Sequence, residues 1–398
     1  MEAATSQGLA DALDAADLIV IGSGLFGLTI AERAASKAGV RVLILERRQH
    51  VGGNAYSYVE PSSGIEVHKY GSHLFHTSNP RVWDYISRFT KFNDYRHTVK
   101  SIHDGRVYSL PINLTTICEF LGRYVSPAEA KEWVRHNATG VDPSNASNFE
   151  ERAITLVGLP LYEAFIKGYT QKQWQTDPKD LPAEIISRLP VRYEFNDRYF
   201  GDRWEGLPLA GYTKWLTKMS EHPLIEVRTG VNFHDVRHLL PDGIPLVYTG
   251  ALDEYFAFSA GALTWRTLDF ETVVLDVDDF QGTSVMNYAD INVPFTRIHE
   301  FRHLHPERVT IPGKTVIMKE FSRFANRGDE PFYPVNSPSD RVMLMKYREL
   351  ARVEENVVFG GRLGSYQYLD MHMAVASALG AFDREVEPLL SRASRLNR

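Results

Sequence analysis

Cysteine is almost absent: Cys118 stands alone, so no intrachain disulfide can form. A single cysteine is most often inert core, and nothing around Cys118 marks it as a nucleophile. No apolar run reaches the roughly 20 residues that a membrane-spanning helix needs. Residues 1–16 lack both a basic start and an apolar stretch, so they do not read as a secretory leader. They are expected to form a loosely ordered extension of a cytoplasmic protein. Basic residues are in the minority, 44 Lys and Arg against 50 Asp and Glu, for a net charge of −6. That balance argues against a general nucleic-acid binder but leaves room for a local basic site for a polyanionic ligand. Internal repeats and low-complexity segments are missing. So is any metal-ligand spacing: His73 and His76 lie close in Tyr70-Gly71-Ser72-His73-Leu74-Phe75-His76-Thr77, yet no further ligands follow at suitable distance. The plain alternative for this pair is two hydrogen-bonded loop histidines, and the sharper one puts His73 near a cofactor ring. What remains is the composition of a globular enzyme, 43% hydrophobic and 24% charged, at a length suited to two or three domains.

Within that frame one stretch dominates. Asp17-Leu18-Ile19-Val20-Ile21 is a continuous apolar run, as expected of a parallel strand buried on both faces. It ends in Gly22-x-Gly24-x-x-Gly27, a helix pattern follows from Leu28, and a second apolar run, Val42-Leu43-Ile44-Leu45, closes on Glu46. Gly22 permits the tight turn, Gly24 lets backbone approach a pyrophosphate, and Gly27 lets the helix pack on the sheet. The helix start offers free N–H groups to the phosphates, and Glu46 can accept hydrogen bonds from a ribose. A glycine-rich βα turn that binds nothing is the plain alternative. The order of strand, glycines, helix, strand and acid favours dinucleotide binding. Gly52-Gly53 comes soon after Glu46, a pairing found in FAD enzymes more than in NAD dehydrogenases, where backbone must pass close to a flat ligand or its diphosphate.

Further along, residues 98–110 alternate about Asp104-Gly105 and read as a β-hairpin. Residues 114–190 carry helix signals, including the capping spacing Ser126-Pro127-Ala128-Glu129 and Asn148 with Glu151. The second of these helices is expected to run through Tyr162 and Phe165 towards Tyr169. Gln171-Lys172-Gln173-Trp174-Gln175-Thr176-Asp177-Pro178 is polar, so an exposed mobile loop is expected there. Strand patterns return at 224–228 and 245–250, then repeatedly over 264–321. The segment 296–305 is rich in basic residues, which suits a diphosphate or, equally, a salt-bridged strand face. Val357-Val358-Phe359-Gly360-Gly361-Arg362-Leu363-Gly364 is a second strand–turn–helix cradle. The expected fold is α/β: a discontinuous FAD-binding Rossmann-like domain (17–97, 211–262 and 340–398), an inserted helical domain with the mobile loop (111–190), and an antiparallel β-sheet domain (98–110, 191–210 and 263–339).

From about residue 17 to 380 the chain resembles the bacterial UDP-galactopyranose mutase family. The most specific pieces are Gly168-Tyr169-Thr170-Gln171-Lys172-Gln173-Trp174, Arg188-Leu189-Pro190-Val191-Arg192-Tyr193, Thr264-Trp265-Arg266-Thr267-Leu268, His299-Glu300-Phe301-Arg302-His303, Glu330-Pro331-Phe332-Tyr333-Pro334, and Gly360-Gly361-Arg362-Leu363-Gly364-x-Tyr366-x-Tyr368-Leu369-Asp370-Met371. The family often shows Tyr where Phe332 stands. The resemblance implies interconversion of UDP-galactopyranose and UDP-galactofuranose with reduced FAD, kept so by an external reductant. In the family mechanism flavin N5 attacks the anomeric carbon, UDP leaves, the flavin–sugar iminium ring-opens and recloses, and UDP returns. It further implies Arg188 and Arg302 as a diphosphate clamp, with Tyr199, Tyr333 and Tyr368 donating to the same phosphates. Phe165, Tyr169, Thr170 and Trp174 would hold the uridine, Asn287 would touch substrate, and His73 and Asp370 would lie by sugar and flavin. Beside Gly22, Gly24, Gly27, Glu46 and Gly53, the cofactor would meet Phe26, Arg47, Asn54, His73, Leu74, Val231, Arg362, Leu369, Asp370 and Met371. A homodimer is expected from bacterial relatives, with no nucleic-acid partner, membrane insertion or metal.

Two rival readings differ in testable ways. A flavin amine oxidase or desaturase on the same scaffold would leave the arginines without a diphosphate. A non-catalytic binding protein of the GDP-dissociation-inhibitor type would have no need of the intact glycine set and Glu46.

Overall fold

A computed structural model describes residues 2–138, 140–141, 145–188 and 190–396, with backbone alone for 2–7, 187–188 and 394–396. Its first sheet has five strands, all parallel, in the order Val357–Phe359, Leu246–Tyr248, Leu18–Ile21, Val42–Glu46, Ile225–Thr229. The continuous apolar runs have their reason here. Leu18, Val20, Val42, Ile44 and Val247 pack to one side, while Ile19, Ile21, Leu43, Leu45, Leu246 and Tyr248 pack to the other. With both faces covered, neither strand needs a polar alternate. The helices Leu25–Arg33 and Met371–Ala381 lie together on the first face.

The second face corrects the reading of the amino terminus. Residues Glu2–Ala15 form a helix. Leu9, Ala12, Leu13 and Ala16, at helical spacing, join the core of that face, and Leu13 is fully buried. A short helix is marginal alone and gains its stability from such packing. Leu13→Ala is therefore expected to lower unfolding stability by about 2–5 kcal/mol, read as a fall in the denaturant midpoint. An unchanged midpoint would mean the helix adds nothing to the core.

The second sheet has seven strands: Tyr333–Pro334, Trp265–Leu275, Thr315–Phe324, Arg297–Glu300, Val285–Tyr288, Val99–His103 and Arg106–Leu110. Every pairing is antiparallel except that of Val285–Tyr288 with Val99–His103, where the hairpin adds on in parallel. The segment 191–210 does not join it. Its strand, Trp204–Gly206, pairs instead with Phe75–Thr77.

The helical unit holds Leu114–Leu121, Pro127–Asn137 and Phe149–Val157, the second with the expected capping box from Ser126 and Glu129. The helix begun at Asn148 does not run unbroken to Tyr169. Gly158, at φ 81°, ends it, and a new helical stretch runs from Leu159 to Trp174. Of the loop expected over 171–178, residues 171–174 are instead the last turn of that stretch. Two of its polar groups are held by the seven-stranded sheet. The Gln173 carbonyl accepts from Arg266 Nε (3.1 Å) and Ser322 Oγ (2.8 Å), and Gln175 Oε1 accepts from Arg266 and the Phe324 amide, each at 3.1 Å. Gln175 ends the helix in the left-handed region, φ 49°. Among the described residues no helix is long and apolar enough to cross a membrane.

Candidate functional site

The glycine turn builds the first of two cavities. Gly22 adopts φ 95°, and a side chain on Gly27 would overlap the Gly22 carbonyl oxygen, so the helix Leu25–Arg33 can start here only as glycine. A Cβ on Gly24, by contrast, would meet no protein atom within 4 Å. Gly24 occupies the N-cap and supplies no side-chain cap to the helix, so the first amides and the positive helix end face an open space suited to phosphate. Gly53, at φ 56°, brings the second glycine pair to 3.1 Å from Gly24 Cα, counted from its missing Cβ. Glu46 closes the strand end, with Oε2 accepting from Ser23 N (2.8 Å) and Oγ (2.7 Å) and Oε1 from the Arg48 amide (2.9 Å). This cavity is also lined by Phe26, Arg47, Asn54, His73, Val231, Arg362, Leu369 and Met371. The geometry fits a dinucleotide: two glycine turns for the pyrophosphate, a helix start behind it and an acid at the end of the neighbouring strand.

Glu330 bridges the cavity rim, 2.7 Å from both Arg47 and Arg48. Burial pushes its carboxyl up, but the two guanidiniums outweigh burial and hold it below its ordinary value. Arg48 also donates to Asn54 Oδ1 at 2.9 Å and lies 4.2 Å over the Tyr70 ring.

The second cavity opens against the first and shares Asn54, His73, Arg362, Leu369 and Met371 with it. Phe165, Tyr169, Thr170, Tyr199, Asn287, Tyr333, Tyr368 and Asp370 line it. Leu74 and Asp370, expected at the cofactor, line only this second cavity. At the shared wall, burial drives the His73 imidazole down to about 4 against a hydrogen bond to the Gly71 carbonyl. Nδ1 donates that bond at 2.8 Å, so Nε2 carries the lone pair. Burial also lowers the Arg362 guanidinium, to about 10.

Two residues expected at the site lie off both cavities, one in the basic segment and one in the helical unit. Arg302 lines neither cavity. The strand Arg297–Glu300 presents alternate residues, Arg297 and His299, to the second cavity, and then the chain turns into a 3-10 helix that carries Arg302 off that face. Arg297 stands on the wall instead. Trp174 likewise lines neither cavity and packs against the apolar core of the helical unit. The Arg188 side chain and Leu189 lie outside the described residues; the turn Ala183–Arg188 brings Ile185 and Ile186 to the cavity.

Arg297 belongs to a buried chain of polar contacts. Its NH2 donates to the Tyr169 hydroxyl, and its Nε lies 3.3 Å from Glu320 Oε1. Glu320 Oε2 accepts from His299 Nε2 at 3.0 Å, and Ser72 Oγ lies 2.8 Å from His299 Nδ1. Burial raises the Glu320 carboxyl, but Arg297 and His299 prevail and hold it at about 2. Burial works against the Arg297 cation too, and Glu320 more than restores it. Burial pushes the Tyr169 hydroxyl up to about 12, so it stays protonated. The wall therefore offers the Arg297 cation, Arg362 where the cavities meet, and O–H donors, a set suited to phosphate oxygens. Arg48, Arg297, His299, Glu320 and the bridging place of Glu330 were not assigned from sequence. The signals for Arg297 were its place in the basic segment 296–305 and its two-residue spacing from His299 on a strand, which points both to the same face.

A family model for UDP-galactopyranose mutase matches residues 164–368, and one for an NAD(P)-binding Rossmann-like domain matches 20–89. The chain is 40% identical to a probable UDP-galactopyranose mutase of Klebsiella pneumoniae, over 92% of this chain and 94% of that one. It is 38% identical to a dTDP-fucopyranose mutase of Escherichia coli (91% and 96%) and 30% identical to a UDP-galactopyranose mutase of Mycoplasma pneumoniae (91% and 94%). In fold it is similar to a crystal structure of reduced UDP-galactopyranose mutase, with TM-score 0.74 and 13% identity over 96% of this chain and 97% of the other.

Proposed function

The chain belongs to the UDP-galactopyranose mutase family of isomerases, and from that premise we propose that it interconverts UDP-galactopyranose and UDP-galactofuranose on a bound FAD that must be reduced. The observation that carries this reading is the shared wall. A dinucleotide cradle meets a cavity bearing Arg297, Tyr169, Tyr199, Tyr333 and Tyr368 through His73, Arg362 and three further residues. A reacting ring at that wall would face an anomeric carbon whose diphosphate lies among the arginine and the tyrosines. Reduced flavin supplies the nucleophilic nitrogen that replaces UDP at that carbon, with an external reductant keeping it reduced.

The protein's own part is then electrostatic and positional. As the C1–O bond breaks, its electron pair stays on the β-phosphate oxygen. Arg297 and the protonated tyrosine hydroxyls meet that charge with donors already fixed in place. They also hold UDP nearby for its return to C1. Arg188 serves as the second cation of the clamp, carried over from the family motif. Phe165 and Thr170 border the nucleoside end, and His73 keeps a neutral acceptor nitrogen at the boundary.

A second substrate is favoured by a specific observation: the relative named for dTDP-fucopyranose, at 38% identity, stands between relatives named for UDP-galactopyranose at 40% and 30%. The test is a product assay with UDP-galactose and dTDP-fucose in parallel, with dithionite-reduced and with oxidised enzyme. Furanose product from UDP-galactose under reduction alone is expected. Turnover of dTDP-fucose alone would transfer the assignment to that sugar nucleotide. Turnover of neither would end the reading.

A further inference from the structure

Among the polar residues of the helix Gly168–Trp174, Lys172 has a place that the proposed chemistry leaves unexplained. Its Nζ donates to three backbone carbonyls: Tyr288 at 2.6 Å, Asp290 at 2.9 Å and Phe295 at 3.0 Å. An ammonium has three donors and no acceptor, so this arrangement uses all of them. One helical turn earlier, Gly168 faces the same segment. A Cβ there would lie 2.5 Å from the Ala289 carbonyl oxygen and 3.3 Å from the Ile291 amide nitrogen. The helix thus presses on this turn through the bare backbone of Gly168 and grips it through Lys172.

The gripped turn joins the strands Val285–Tyr288 and Arg297–Glu300. At its two feet Asn287 and Arg297 are register partners, and both line the second cavity. Tyr169, next to Gly168 on the same helix, accepts from Arg297 NH2. The same short helix therefore holds the turn from outside and meets its arginine within the cavity.

We propose that Lys172 is a positioning residue: its ammonium fixes the 288–295 turn and so sets Asn287 and Arg297 against Tyr169 for the diphosphate of the substrate. This rests on the function proposed above. Arginine cannot replace lysine here without loss, because a planar fork does not point its donors at three carbonyls converging on one atom. Methionine keeps most of the stem and supplies no donor. A small shift of the turn moves Arg297 directly, and displacements near 1 Å can cost about a hundredfold where groups must be placed accurately.

The test compares wild type, Lys172→Met, Lys172→Arg and Gly168→Ala as flavin-loaded proteins. Two readouts are taken: the dissociation constant for UDP and local hydrogen exchange. For Lys172→Met, UDP affinity is expected to fall about tenfold to a hundredfold. Exchange should accelerate over 285–297, with flavin absorbance and exchange over 18–46 unchanged. Lys172→Arg should fall between, and Gly168→Ala should reproduce the local loosening. A UDP affinity within twofold of wild type in Lys172→Met overturns the proposal, as does acceleration spread across the whole helical unit at unchanged affinity. If wild type itself binds no UDP, the functional reading falls and exchange alone decides. Unchanged exchange over 285–297 in Lys172→Met then overturns the clamp, and acceleration confined there supports it.

Discussion

Arg297→Ala is expected to leave a folded, flavin-loaded protein whose turnover with reduced flavin is lower by on the order of 10²–10³, as for loss of one preorganised donor at a developing charge. Arg297 is a cation on the wall where the tyrosines converge. Its removal also strips Glu320 of the partner that offsets burial. A buried carboxylate left with His299 and the Thr296 hydroxyl will take up a proton more readily or draw one onto the imidazole. Arg297→Lys keeps a charge without the planar fork and should recover part of the rate. The measurement is single-turnover conversion of UDP-galactose after dithionite reduction, with UDP affinity measured alongside. A rate within about threefold of wild type, with flavin reduced, removes Arg297 from the clamp.

The second large effect separates two glycines of one motif. In Gly27→Ala the new methyl overlaps the Gly22 carbonyl and lies 3.2 Å from Val20 Cγ1. Backbone cannot yield there as a flexible side chain would. Overpacking of this kind costs about 1–3 kcal/mol or more, and the turn that holds the phosphates would be displaced. The protein is expected to purify colourless and to melt earlier. Gly24→Ala adds its methyl where no protein atom lies within 4 Å. It should fold and melt like the flavin-free wild type yet bind flavin poorly, because the methyl enters the space taken by the pyrophosphate. Visible flavin absorbance per protein, together with the melting temperature of each flavin-free form, gives the answer. Full flavin occupancy in Gly27→Ala would refute the collision, and full occupancy in Gly24→Ala would move the phosphates elsewhere.

The cofactor cradle was legible because backbone requirements dictate it. Glycines at a tight turn, apolar strands buried on both sides and an acid at a strand end leave few alternatives in a linear chain. The substrate wall was less legible. It is made where strands far apart in sequence come into register, as with Arg297 and Glu320 across neighbouring strands. The family motif His299-Glu300-Phe301-Arg302-His303 turned attention to Arg302, although Arg297 stood in the same basic segment. Polarity misled in a different way at 171–175. The side chains of Lys172 and Gln175 meet backbone carbonyls, Arg266 and the Phe324 amide, and sequence alone cannot distinguish that demand from exposure to water. The amino-terminal helix was missed because its few apolar positions mean little until a sheet face is there to receive them.

The strand order of the parallel sheet also governs how the chain is born. Leu18–Ile21 and Val42–Glu46 leave the ribosome early, but their neighbour Leu246–Tyr248 and the outer strand Val357–Phe359 come much later. From Glu46 to Val357 is 357 − 46 = 311 residues, about 15–60 s of synthesis at common rates of 5–20 residues per second. Through that interval the glycine turn exists without Gly361, Arg362 and Met371 across from it. The nascent amino-terminal half must wait with apolar sheet edges unpaired, a state in which chaperones bind and aggregation begins. Cofactor capture thus waits until Val357–Phe359 and Met371 have been made, and flavin supply at that moment helps decide how much of each batch of new chains reaches the compact state.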